Sequence, residues 1–427
     1  MPRQMKDSGI EWIGEIPCDW KVARLGGKLQ EIKVNNSPIQ TEQVLSLTIE
    51  SGVIPYEEKG NQGNKAKENV EEYKLAYENT LVVNSMNVII GAVGISKYFG
   101  CVSPVYYVFK TTESSELRYV YYLFTNVGFQ KEMRKYAKGI LEIRLRISAS
   151  DMLKLLVPTP SIEEQIRISD YLDKQCQYID SVLEQTRSSI EEYKKLKQAV
   201  ITRAVTKGVR GDRLMKDSDV EWLGNIPKEW NVYRIANLYD ERSESGLEEL
   251  PILTVSINTG VSDHEIADED KDRVFVRSED RTKYKRVYPG DLAYNMMRAW
   301  QGAFGAVRVD GMVSPAYVVA KPKKNVELDS RYMEALLRTS EATEEMHRYS
   351  RGIVDFRLRL YWPEFKNIRI CLPPIEEQIQ IADYIDEKVA AIDDLIAKKE
   401  AFAAELENYK KSMIYEYVTG KKEVPQS

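Results

Sequence analysis

Two stretches of the chain carry an apolar stripe at heptad spacing. Between Ile162 and Thr206, apolar or small residues recur at Leu172, Cys176, Ile179, Leu183, Ile190, Tyr193, Val200 and Ala204, in steps of three, four and seven. The stripe returns 213 residues later at Ile385, Val389, Ile392, Ile396, Ala403, Leu406, Met413 and Tyr417. Neither 162–206 nor 375–419 contains Gly or Pro; each begins Ile-Glu-Glu-Gln and is preceded by Pro and one further residue. Proline before a helix and acids in its first turn favour initiation and suit the helix dipole. The pattern predicts two helices of about 45 residues, each about 67 Å long at ~1.5 Å per residue. A single apolar stripe must be buried, and the matching stripe belongs to the duplicate. The two helices are therefore expected to pair as an antiparallel coiled coil, with Thr186 and Lys399 as a polar place shared by both seams.

The rest of the chain is also stated twice. MKDSGIEWIGEIPCDWKVARLGG at 5–27 and MKDSDVEWLGNIPKEWNVYRIAN at 215–237 share twelve of 23 positions. GCVSPVYYVFK at 100–110 returns as GMVSPAYVVAK at 311–321, and KGILEIRLRI at 138–147 returns as RGIVDFRLRL at 351–360. A repeat of roughly 210 residues is a whole domain rather than a solenoid unit. Within each copy, short β-like runs such as LVVNSM at 81–86 and LAYNMM at 292–297 sit between Gly, Pro and Asn breaks. One helical run follows in each, at 117–138 and at 330–350.

The expected fold is α+β: two similar heads separated by two long helices, related by an internal pseudo-two-fold. The boundaries are 1–160 for the first head, 161–208 for the central helix, 209–372 for the second head and 373–427 for the last helix. Proteins that read two DNA half-sites commonly use such symmetry, because the duplex itself has two-folds.

A net charge of −5 first argues against a nucleic-acid partner. Its distribution reverses that. Residues 375–421 hold eleven acids against six bases, which leaves the rest of the chain near neutral and able to carry basic faces. No apolar run reaches the ~18 residues of a membrane span, so no membrane partner is expected and a cytoplasmic location is the default. Cys18, Cys101, Cys176 and Cys371 form no C-x-x-C pair, and with only His264 and His347 a metal site is not expected.

Signatures of catalysis are missing. There is no phosphate loop, no G-x-G-x-x-G, no nucleophile elbow and no Asp/Asn-Pro-Pro-aromatic tetrapeptide of amino-methyltransferases. The long helices are rich in carboxylates, as a solvated charged face is. The basic, aromatic-laced segments lie instead in the heads. KEMRKYAKGILEIRLR at 131–146 and its twin place a Gly five to seven residues ahead of R-L-R, and RVFVRSEDRTKYKRV at 273–287 has six bases and two acids. Arginine reads guanine edges and both Arg and Lys neutralise phosphate. The residues expected at DNA are Arg144, Arg146, Arg357 and Arg359, with Lys138 and Arg351 on phosphate and Arg298 in a loop where the copies differ. The R-L-R residues could equally anchor each head to its helix. The Trp12/Trp20 and Trp222/Trp230 pairs read as packing aromatics around a tight turn.

Two variable heads, each followed by a Pro-x-Ile-Glu-Glu-Gln helix, resemble the specificity subunit of type I restriction–modification systems. The E-W-x-G-x-I-P-x-x-W opening and the G-I-x-x-x-R-L-R stretch are similar to that family too. The resemblance implies that each head is a target recognition domain binding half of a bipartite double-stranded DNA site. It implies that the coiled coil sets the spacing and docks two modification subunits. S-adenosylmethionine is then expected on those partners, which methylate adenine, and no cofactor on this chain. Restriction subunits would join to cleave unmethylated DNA, and this chain would hold no active site. The alternative is a DNA- or protein-binding scaffold unrelated to restriction, with the helices as a dimerisation arm.

Overall fold

The structure is a computed structural model in which residues 3–60, 69–139, 145–265, 281–353 and 358–425 are described. The chain packs as two compact units. One is Met1–Arg187 with Glu400–Ser427, and the other is Ser188–Lys399. Each unit thus combines a head with the first half of its own long helix and the last half of the other copy's.

In the first unit the centre is a four-stranded antiparallel sheet in the order Leu29–Glu31, Tyr106–Thr111, Leu81–Asn84, Val93–Ile95. The run LVVN is buried at all four residues, so its alternation is lost and both faces pack. Lys21–Arg24 pairs with Leu156–Thr159, tying the start of the head to its end. Helices α1 (Leu117–Thr125) and α2 (Val127–Tyr136) cover the sheet, and α3 (Ala149–Lys154) leads to α4 (Ile162–Lys207). The sequence pattern suggested one helical run over 117–138; the structure breaks it at Asn126. That residue takes an extended backbone, and its side chain accepts from the Gly128 and Phe129 amides, starting a new helix.

The second unit repeats this plan. Its sheet runs Tyr239–Arg242, Tyr317–Pro322, Leu292–Asn295, Phe304–Ala306, and Asn231–Arg234 pairs with Arg369–Leu372. After α5 (Ile235–Leu238) come α6 (Ser330–Leu337) and α7 (Ser340–Tyr349), separated by Thr339, whose hydroxyl accepts from the Ala342 amide. α8 (Trp362–Phe365) precedes the last helix, α9 (Ile375–Val418).

Halves of α4 and α9 run antiparallel within each unit. In the first, Lys410 donates to Asp180 at 2.6 Å and Arg187 to Glu407 at 2.8 Å. In the second, Lys197 donates to Asp393 at 2.7 Å, and the Lys399 ammonium lies 5.6 Å from the Tyr193 ring centroid. Residue numbers rise on one helix as they fall on the other. Exposed ion pairs of this kind contribute only ~0.2–1 kcal/mol each, so they pin register while the seam carries the binding. Leu172, Ile179, Leu183, Ile190, Ile385 and Ile392 are buried; Val389, Ile396 and Leu406 are half-buried. Thr186 is also buried, and its hydroxyl is satisfied within its own helix by the Val182 carbonyl. Leu172, Ile179 and Leu183 are continuous with the first head's core, and Ile385 with the second's.

The Ile-Glu-Glu-Gln motif is a junction. Glu164 accepts from the Trp20 indole at 2.8 Å and from Arg3 at 2.7 Å; Glu377 accepts from Trp230 at 3.1 Å and from Arg213. Gln165 accepts from the Glu116 amide and donates to the Pro160 carbonyl, both at 3.0 Å. Gln378 does the same with Asp329 at 3.0 Å and Pro373 at 2.9 Å. Opposite this junction the far end of the other helix arrives. The Tyr119 hydroxyl donates to the Val418 carbonyl at 2.9 Å, and the Tyr332 hydroxyl to that of Val205 at 3.2 Å. Both helices then turn at a glycine in the left-handed region, Gly420 (φ +73°) and Gly208 (φ +78°). At Gly420 a Cβ would stand 2.5 Å from Pro17, so only glycine fits there without movement.

Candidate nucleic-acid interface

A small hairpin foot recurs in both heads. Lys138 and Arg146 exchange two backbone hydrogen bonds, at 2.8 and 2.9 Å, and Arg351 and Arg359 exchange two at 2.9 Å. Such a reciprocal pair is the hydrogen-bonded rung of an antiparallel ladder. It fixes two basic residues side by side at the base of each loop. Each foot is stapled to the turn after the central strand. The Ile147 amide donates to the Ser85 carbonyl at 3.2 Å, and Leu360 to Met296 at 2.8 Å. In the first head the Arg146 Nε also donates to Ser85 Oγ at 3.0 Å.

Lys138, Arg146, Arg351 and Arg359 are all exposed, and the structure brings them together in pairs. Arg351 is not unopposed: its guanidinium meets Glu364 at 2.6 Å. Arg298 is half-buried in the turn that carries Met296, beside the second foot. Arg144 and Arg357 lie outside the described residues, as do positions 273–280 of the basic run.

Sequence reasoning did not single out one lysine in each head, although Lys285 lies within the basic run 273–287. Lys74 donates to the Tyr106 carbonyl and Lys285 to the Tyr317 carbonyl, each at 2.7 Å. Lys74 also sits 5.0 Å from the Tyr107 ring centroid. Burial lowers its pKa first, Glu31 opposes that, and Lys33 and Arg146 lower it further. A lysine with two further cations beside it marks a place where an anion is welcome. The signal was present: YKLAY at 73–77 and YKRVY at 284–288 keep the lysine while neighbours change.

Among the described residues, no group of three or more His, Cys, Asp and Glu could hold a metal ion. None of the described helices is long and apolar enough to cross a membrane. Burial pushes the Cys101 and Cys176 thiols up to about 11 and Cys371 to about 12, so these are packing residues.

Residues 17–192 match the family described as Type I restriction modification DNA specificity domain. The Type I restriction enzyme MjaVIII specificity subunit of Methanocaldococcus jannaschii is 23% identical, over 95% of this chain and 93% of its own. A chain solved in work on complex assembly and conformational transition of the type I R–M system superposes with a TM-score of 0.67. It is 15% identical and covers 95% of this chain and 99% of itself. The HsdS subunit from Thermoanaerobacter tengcongensis gives a TM-score of 0.51 at 16% identity, covering 95% and 98%. These two structures share the fold.

Proposed function

We propose that this chain, a member of the type I restriction–modification specificity-subunit family, reads one half of a bipartite DNA site with each head. The observation that carries the reading is the repeated foot, Lys138 with Arg146 and Arg351 with Arg359, set in the same place on two equivalent frames. Phosphate contacts fix register and base contacts specify. The frame supplies the first in both heads, while the differing loops supply different sequences. The long helices hold the half-sites at a set separation and dock two modification subunits. Those partners bind S-adenosylmethionine and methylate adenine, and restriction subunits add cleavage. This chain contributes specificity without catalysing either step, and it works in the cytoplasm.

Exchange of residues 209–372 for another second head, followed by methylome sequencing with a cognate modification subunit, tests the reading. One half-site should change and the other persist. A change in both halves would refute modular reading.

A further inference from the structure

The two units differ at one socket. On α1, Tyr121 and Tyr122 lie against the first half of α4, their ring centroids 5.4 Å apart. The Tyr122 hydroxyl donates to Asp173 Oδ1 at 2.7 Å, beside the Cys176 thiol. The corresponding residues of α6 are Glu334 and Ala335. Glu334 is drawn to the wall by Arg338 at 3.2 Å and Arg308 at 3.6 Å. Where the rings would be, the described residues of the second unit leave a groove of about 540 Å³. Ile201, Ala335, Ile385 and Val389 give it an apolar floor, with Asp386 and Arg331 at hand. Asp386 and Val389 are the counterparts of Asp173 and Cys176. Since a cavity of ~150 Å³ holds one benzene, the groove has room for two rings.

We propose that this groove receives a tyrosine pair presented by a modification subunit docked on the second unit, one hydroxyl donating to Asp386. The proposal rests on the family reading above. The first copy fills the same socket with its own tyrosines, and the second copy keeps the acceptor and the apolar floor but not the rings. The two docking places are therefore unequal. The partner segment that enters the second unit must lie outside the first, where Tyr121 and Tyr122 already sit.

The test titrates a cognate modification subunit onto the full chain by calorimetry, with native mass spectrometry for stoichiometry. Wild type should show two unequal binding events. Ala335→Tyr and the double change Glu334→Tyr/Ala335→Tyr should weaken one of the two events by roughly tenfold or more and leave the other unchanged, the loss expected for a buried tyrosine anchor. The single change keeps Glu334 with its arginines, which guards against misfolding. DNA binding by the variants should match wild type. Two binding events of unchanged affinity would overturn the proposal. If the wild-type chain recruits no modification subunit, the family reading fails instead. N-acetyl-tyrosyl-tyrosinamide then decides the groove by saturation-transfer NMR: transfer with wild type but not Ala335→Tyr supports it, and no transfer, as when the chain fills its own groove, overturns it.

Discussion

Glu377 exposes only 3% of its side chain and Arg213 only 11% of its own. Removing Glu377 leaves Arg213 enclosed with Glu229 at 3.3 Å as its remaining partner, so the loss approaches the ~3–5 kcal/mol of a broken buried pair. Glu377→Ala is expected to lose about that much stability in chemical denaturation. Glu164→Ala should lose less, because Arg3 is 22% exposed and better hydrated than Arg213, and its second partner Asp19 is nearer, at 3.0 Å. At the interface, Arg146→Ala should cost ~1–3 kcal/mol of discrimination in the first half-site. Lys138→Ala should weaken all sequences alike and lower the salt slope by ~0.9. Titrations on matched and mismatched sites across a salt series separate the two. Arg351→Ala should do less than Lys138→Ala, since Glu364 already engages it. The basic residues of the two feet were legible as a segment stated twice, at 138–147 and 351–360, but their pairing across each foot was not. The junction role of Glu164 and Glu377 was not: as sequence they are merely acids of a first turn, and their tryptophans lie 144 and 147 positions away.

At the scale of elements, heptads announced the two long helices nearly to the residue, since 46 and 44 residues without Gly or Pro leave little else. The shorter helices were less readable. Asn126 and Thr339 sit within amphipathic runs, and only their extended backbones and capping bonds show that the run restarts there. Composition gives no such warning, because Asn and Thr occur inside helices as well. The helix pair also frames a test of the spacer. Seven residues inserted after Arg187, matched by seven before Glu400, preserve heptad phase on both sides. The insertion adds ~10 Å of helix. The untouched spacer should lengthen by on the order of 3 base pairs while both half-sites stay intact. Methylome sequencing reads the result, and an altered half-site would contradict the ruler.

At the scale of the molecule, duplication and antiparallel helix pairing were legible in the sequence, yet the bonds that close each unit were not. Tyr119 with Val418 and Tyr332 with Val205 show that each head is finished by the other copy's helix end. Heptad spacing does not reveal these bonds, because Val205 and Val418 stand off the stripe. Deleting residues 400–427 should therefore damage the head farthest from the cut in sequence. Hydrogen exchange should find the first head, 1–160, deprotected and the second, 209–372, largely intact; the reverse pattern would refute the assignment. The same layout governs birth on the ribosome. Ser188–Lys399 is contiguous and can settle as it emerges, whereas Met1–Arg187 must wait for Glu400 onward. At ~5–20 residues per second that delay is about 10–40 s. The portion made first is thus the last to be completed, and a chain cut short by early termination is born with its leading half unsealed.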